Sequence, residues 1–201
     1  MPKATIAQYT DLSCGAACVL AAALELDSDP DNTGLPATGK LSILINNRAK
    51  PSTAQAPWLI EWQRGIYQVS GAGQAGYSMP SGVVEAARYM GMTGTVVLAK
   101  TFSAGVLKWQ YPHEIAACLP FTENSTSSDI GDMALAANER AMHCVCIGPA
   151  LGVHWILQRP DGTYVDPAGG KERASRDKIK SKGQSIFSYH GTGLAIRLSK
   201  P

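Results

Sequence analysis

Hydrophobic and polar positions are spaced unevenly along the chain, and each spacing implies an element. From Ala16 to Leu26 only Glu25 interrupts the apolar run and neither Gly nor Pro occurs, so Cys14 to Leu26 reads as a buried helix. Asp27 to Gly39 carries Pro30, Asn32, Gly34, Pro36 and Gly39 and reads as a loop, followed by a short helical or extended piece at Leu41 to Arg48. Pro57 to Gln63 starts a helix with proline in its first turn, and Gly65 to Gly76 is a glycine-rich passage around a strand at Ile66 to Val69. Val83, Val84, Ala87 and Met90 recur at helical spacing after Pro80 and before Gly91, and Thr95 to Ala99 is a β-branched strand.

Short helices are expected at His113 to Leu119 and Met133 to Arg140, on either side of a Ser/Thr/Asp-rich loop from Thr122 to Asp132. From Met142 onward the pattern turns to sheet, with strands at Met142 to Ile147, Val153 to Gln158, Thr163 to Val165 and Ser185 to Leu198, the last interrupted at Gly191 and Gly193. Helices in the first half and antiparallel strands in the second give an α+β fold class, a single domain over residues 1–201. Function is expected where the two halves meet.

Composition narrows the classes. Apolar residues make up 45% and charged residues 17% of the chain, which excludes disorder, and a formal charge of +2 excludes nucleic-acid binding as the main activity. The local basic stretch, with Lys171, Arg173, Arg176, Lys178, Lys180 and Lys182 against Glu172 and Asp177, reads as a solvated helix or loop. No apolar run of about 18 residues exists to span a membrane. No apolar segment precedes Ser13 to serve as a secretory signal. Five cysteines are an odd number for a disulfide scaffold and imply free thiols. A cytoplasmic location, or export independent of a signal peptide, is therefore expected.

One of those thiols stands where chemistry is favoured. In Gln8-Tyr-Thr-Asp-Leu-Ser-Cys14-Gly15, the cysteine begins an apolar helix, so unpaired backbone N–H groups and the positive end of the helix dipole lower its pKa. Gly15, without a Cβ, lets a substrate approach. The Gln8 amide and the Cys14 N–H together form a candidate oxyanion hole, useful only where negative charge develops on a carbonyl oxygen. Among His113, His143, His154 and His190, the best base is His154, followed by Trp155 on an apolar strand.

The next turn supplies the third group. Arg159-Pro-Asp-Gly162 fits a three-residue hairpin loop with Gly162 in the left-handed position. Arg159 then pairs with Thr163 and Ile156 opposes Asp166. His154 and Asp166 consequently share one face as diagonal neighbours, close enough for the carboxylate to orient the imidazole. Asp161, in the turn itself, is a rival carboxylate. Cys18 falls on nearly the same helical face as Cys14 and reads as core. His143, Cys144, Cys146 and His154 match no common zinc spacing, so no metal is expected, and Gly71 to Gly76 lacks the helix that a dinucleotide fingerprint requires.

Gln8-x5-Cys14-Gly15, His154-Trp155 and Asp166-Pro167-x-Gly169 together resemble the papain-like cysteine peptidase superfamily and, within it, the bacterial double-glycine leader peptidases. Helix Pro80 to Gly91, with its Gly-Tyr-Ser-Met-Pro lead-in, is also similar to the second helical segment of that group. The resemblance implies a papain-like fold, an N-terminal catalytic helix against a C-terminal antiparallel sheet, and a thiol hydrolase needing no cofactor. Catalysis would rest on Cys14, His154, Asp166 and Gln8, with Gly15 and Trp155 on the substrate side. A protein or peptide substrate is implied, with no nucleic-acid or membrane partner. Peptide cleavage, side-chain deamidation and peptidoglycan amide hydrolysis all use this constellation, and an inactive binding module is the reading from another class. A free-standing domain of this kind also fits a toxin delivered into another cell, with an inhibitor or immunity protein to restrain it.

Overall fold

In the computed structural model, residues 3–28, 57–71, 76–100, 105, 111–124, 133–147, 153–175 and 189–201 are described. Helix α1 (Cys14–Glu25) is buried at every position except Leu24, as its unbroken Ala/Val/Leu content dictates. It is the hub of the molecule, packing against α2 (Pro57–Ser70), α3 (Pro80–Tyr89) and two strands of the sheet. A fourth helix, α4 (Pro112–Cys118), ends in a 3-10 turn at Leu119–Phe121. The sheet comprises β1 (Thr93–Leu98), β2 (Thr122–Asn124), β3 (Glu139–Ile147), β4 (Val153–Gln158), β5 (Tyr164–Asp166), β6 (Lys171–Arg173) and β7 (Tyr189–Ser199). Their order is β2-β1-β7-β3-β4-β5-β6, antiparallel throughout except for the parallel β1–β2 pair. The α+β class is therefore right, and the sheet is mixed rather than purely antiparallel.

The helix-facing side of the sheet supplies Met142, Cys144, Trp155, Leu157, Val165, Ile196 and Leu198 to one large core with α1, α2 and α3. The far side carries a smaller cluster of Val145, Ile156, Tyr164 and Tyr189. In α3, Val83, Val84, Ala87 and Met90 are buried as their spacing predicts, and Gly91 ends the helix at φ 70°. No helix among the described residues is long and apolar enough to cross a membrane.

Several expected elements take other forms. Ile66 to Val69 is no strand but the last turns of α2, because Gln63, Ile66, Tyr67 and Ser70 recur at helical spacing and are buried together. Met133 to Arg140 is not a helix: Glu139 and Arg140 already belong to β3, where they pair with Ser199 and Leu198 of the central strand β7. Thr122 to Asn124, expected as loop, adds alongside β1. Lys171 to Arg173 is the edge strand β6 rather than a helix or loop. The pieces at Leu41 to Arg48, 125–132 and 176–188 lie outside the described residues, as does most of the Asp27 to Gly39 loop.

A β-bulge distorts the centre of the sheet. Cys144 opposes Leu194 on β7, but Val145 opposes Gly191, so Thr192 and Gly193 are extra. Gly193 adopts φ 80°, and the Thr192 hydroxyl donates to the Cys144 carbonyl at 2.8 Å, replacing the broken ladder. Beyond the bulge, Tyr189 pairs with Ile147 on the face that carries His154.

Candidate active site

The entry to α1 is a tight turn. Ser13 Oγ accepts from the Thr10 N–H at 3.0 Å and donates back to the Thr10 carbonyl at 3.1 Å, instead of capping the helix. The first-turn N–H groups stay free of a side-chain cap, the condition under which a helix start stabilises an anion. Cys14 sits there, buried to 2% exposure.

The hairpin forms in the expected register. Arg159 N–H donates to the Thr163 carbonyl at 2.9 Å, Gly162 has φ 78°, and Leu157 pairs with Val165. His154 and Asp166 consequently meet, with Nε2 2.9 Å from Oδ1, both nearly inaccessible. Asp166 Oδ1 also accepts the Ala168 N–H at 2.9 Å, which fixes the carboxylate. The rival, Asp161, serves its own turn, accepting from the Thr163 N–H and hydroxyl and pairing with Lys3.

β5 ends at Asp166, so the β4 edge beyond Leu157 has lost its strand partner. The Trp155 N–H and C=O point to that edge, since Leu157, two residues on, uses the same side for β5. Helix α1 fills the vacancy: the Trp155 N–H bonds Cys14, and Cys18 Sγ lies 3.5 Å from the Trp155 carbonyl. Cys18 is buried core as expected, and it also completes this pseudo-ladder.

With Nε2 held by Asp166, the Nδ1 side of His154 is left for the thiol. Burial raises the Cys14 pKa, but the charge and hydrogen bond of His154 and the N–H groups of Trp155 and Gly15 outweigh it, and the thiol falls below its ordinary value. Burial disfavours the charged imidazole, whereas Cys14 and Asp166 favour it more strongly and raise His154 to about 9. The pair therefore favours thiolate and imidazolium together. Cys18 and Cys144 move the opposite way, pushed up by burial. Tyr189 lays its ring over His154 at 5.3 Å and 36°, closing the site from the sheet's far side.

Gln8 is tied by its backbone to the loop that follows Asp166. Its N–H donates to the Pro167 carbonyl at 2.8 Å, tying it to the residue after Asp166. Its Oε1 is buried without a hydrogen-bond partner among the described residues. The space beside Gly15, expected to admit substrate, is occupied by Ser78: a Cβ there would lie 2.5 Å from Ser78 Oγ and 3.3 Å from Trp155 Cδ1. Trp155 is buried and donates Nε1–H to the Ser78 carbonyl at 3.0 Å. Ser78 and Trp155 also wall an apolar cavity with Tyr77, Met79, Ile115 and Leu194. Ser78 and Tyr189 are residues beside these side chains that sequence reasoning missed, and Cys18, expected as core, also touches the Trp155 carbonyl. Only the lead-in to α3 carried any signal, and it pointed to no particular side chain.

Comparison with known proteins adds an independent line. Residues 7–201 match the family model described as Invasion plasmid antigen J, cysteine protease. The Cysteine protease IpaJ of Shigella flexneri is 32% identical over 204 residues, an alignment that covers 94% of this chain and 75% of the relative. No solved structure matches.

Proposed function

Because the chain belongs to the Invasion plasmid antigen J family of cysteine proteases, we propose that it hydrolyses a peptide bond in a protein substrate through Cys14, His154 and Asp166, with Gln8 as oxyanion donor. One observation carries the assignment. Cys14 is the cysteine whose pKa is lowered, and its hydrogen-bonded partner His154 is held from the other side by Asp166 at 2.9 Å. A papain-like arrangement is supported by the same order of parts, a thiol at a helix start against an imidazole on a strand.

In this reading the Cys14 thiolate attacks the carbonyl carbon, forming an S–C bond while the electron pair moves to oxygen. The Cys14 N–H and the Gln8 amide receive that oxyanion. The imidazolium of His154 then protonates the departing amine, the C–N bond breaks, and a thioester remains. Neutral His154 next takes a proton from water, which attacks the thioester and releases the acid and the thiol. Asp166 holds the ring in orientation throughout. Trp155 presents a wall of the apolar cavity to substrate, whereas Gly15 permits the close approach of Ser78. The likeness to double-glycine leader peptidases is carried by this shared order of Gln, Cys, His and Asp. The family's description, an invasion plasmid antigen, favours a bacterial effector acting inside another cell.

Intact-mass spectrometry after limiting iodoacetamide, over about pH 5 to 8, tests the assignment. Single alkylation at Cys14 at the acid end, lost in Cys14→Ala and retarded in His154→Ala, is expected. Uniform slow labelling of several thiols would refute it. Profiling of new protein N-termini, against Cys14→Ala, then identifies substrates; release of ammonia without new termini would instead indicate deamidation.

A further inference from the structure

Gln8 is gripped along both edges of its backbone. On one edge its own N–H donates to Pro167. On the other stands Gln63 of α2. The Gln63 Nε2 donates to the Ala7 carbonyl at 3.1 Å, and its Oε1 accepts from the Tyr9 N–H at 3.3 Å. One side-chain amide thus reproduces the two bonds that a neighbouring strand would make. Gln63 is fully buried, and a buried amide with no bonds to make would be costly. Its neighbours brace the same segment: Tyr67 meets Tyr9 edge-on at 6.4 Å, and the Arg64 guanidinium lies 6.0 Å from the Tyr9 ring. The turn after Pro167 packs equally closely, since a Cβ on Gly170 would lie 2.9 Å from Ala7 Cβ.

We infer that Gln63 is a positioning residue for the oxyanion hole, acting through the backbone of Ala7 to Tyr9 to aim the Gln8 amide. The inference rests on the catalytic reading above. It sets Gln63 apart from the residues that generate the thiolate, because its bonds to Ala7 and Tyr9 lead to Gln8 rather than to Cys14, His154 or Asp166. Loss of Gln63 is accordingly expected to impair most the steps in which a carbonyl oxygen gains charge.

Two electrophiles separate these effects. Iodoacetamide is displaced at carbon: the Cys14 S–C bond forms, the C–I bond breaks, iodide leaves, and no oxyanion appears. p-Nitrophenyl acetate is attacked at its carbonyl: an oxyanion forms, the C–O bond breaks, and p-nitrophenolate leaves with an acetyl thioester behind. The ratio of the two Cys14 rates cancels the thiolate population and isolates the hole. In Gln63→Met this ratio is expected to fall by about 10-fold or more, with the pH dependence of alkylation unchanged. In the Gln8→Ala background the same substitution should produce no further fall. Should Gln63→Met fail to fold, Gln63→Glu carries the test, because it keeps an acceptor for the Tyr9 N–H and sets a carboxylate oxygen against the Ala7 carbonyl in place of the donor. An unchanged ratio in a folded Gln63 variant, beside a lowered ratio in Gln8→Ala, would overturn the inference alone. Absence of Cys14 alkylation in the parent protein would overturn the catalytic reading beneath it.

Discussion

The two ends of α1 both join the helix to the sheet through buried polar groups, and they use those groups differently. At the C-terminal end Glu25 is buried within a web of cations: Arg140 Nε donates to its Oε2 at 2.7 Å, and Arg159 Nε to its Oε1 at 2.8 Å. Arg159 continues to Glu172 at 2.5 Å and to the Ala4 carbonyl at 3.1 Å, while the Ala4 N–H donates to Glu25 at 2.9 Å. A carboxylate at a helix C-terminus opposes the dipole, and two guanidinium groups offset that opposition. Both oxygens of the acid are occupied, so this end fastens residues 3–7 to the hairpin. At the N-terminal end Cys14 and His154 each favour the charged form of the other, and Gln8 Oε1 is left without a partner among the described residues. Saturated polar groups give rigidity; groups with capacity to spare give chemistry. The two ends are joined in sequence, because Ala4 lies four residues before Gln8.

The contrast is broken most severely at the reactive end. Cys14→Ala is expected to lower peptide hydrolysis by about 10^4-fold or more with the melting temperature nearly unchanged, as measured by turnover of an identified substrate and by thermal unfolding. Asp166→Asn should cost about 10^3-fold in kcat, since the imidazole loses both orientation and charge support; retained affinity for substrate separates this from misfolding. At the saturated end, Glu25→Ala removes the carboxylate that two buried guanidinium groups share and should destabilise the fold by about 3–5 kcal/mol in urea titration. If Glu25→Ala instead reduced the alkylation rate of Cys14 without loss of stability, the division of labour between the ends would be wrong. Gly15→Ala forces its Cβ into Ser78 and should cost about 1–3 kcal/mol.

The gentlest probe is pH. In the proposed mechanism acylation needs His154 protonated, so kcat/KM should decline as pH rises through about 9, and it should decline on the acid side only below the lowered pKa of Cys14. In His154→Ala the largest causes that lower the thiol are gone while burial remains. The alkylation midpoint of Cys14 should then move to higher pH, which a pH series of iodoacetamide rates will show.

Some of this was legible because it is local. The loop from Arg159 to Gly162 dictates its own turn, the turn sets the register, and the alternation of side chains then aligns His154 with Asp166. The misread segments were decided elsewhere. Ile66 and Val69 favour a strand by their branching, yet the buried face shared with Gln63 and Tyr67 makes them helical. Glu139 and Arg140 look helical by composition and extend as strand because β7 offers them a ladder and Glu25 offers Arg140 a partner.

The sequence by itself determined the helix that begins at a cysteine, the hairpin that brings a carboxylate to an imidazole, and a charge balance without a strong bias. Each depends on neighbours a few residues apart, where sterics and periodicity act directly. Only the tertiary structure decided that the β4 edge would run out of strand beside α1, that Ser78 would fill the space at Gly15, and that Gln63 would bracket Gln8. Those contacts join segments distant in sequence, and they follow from which buried polar groups must find partners once the core has closed.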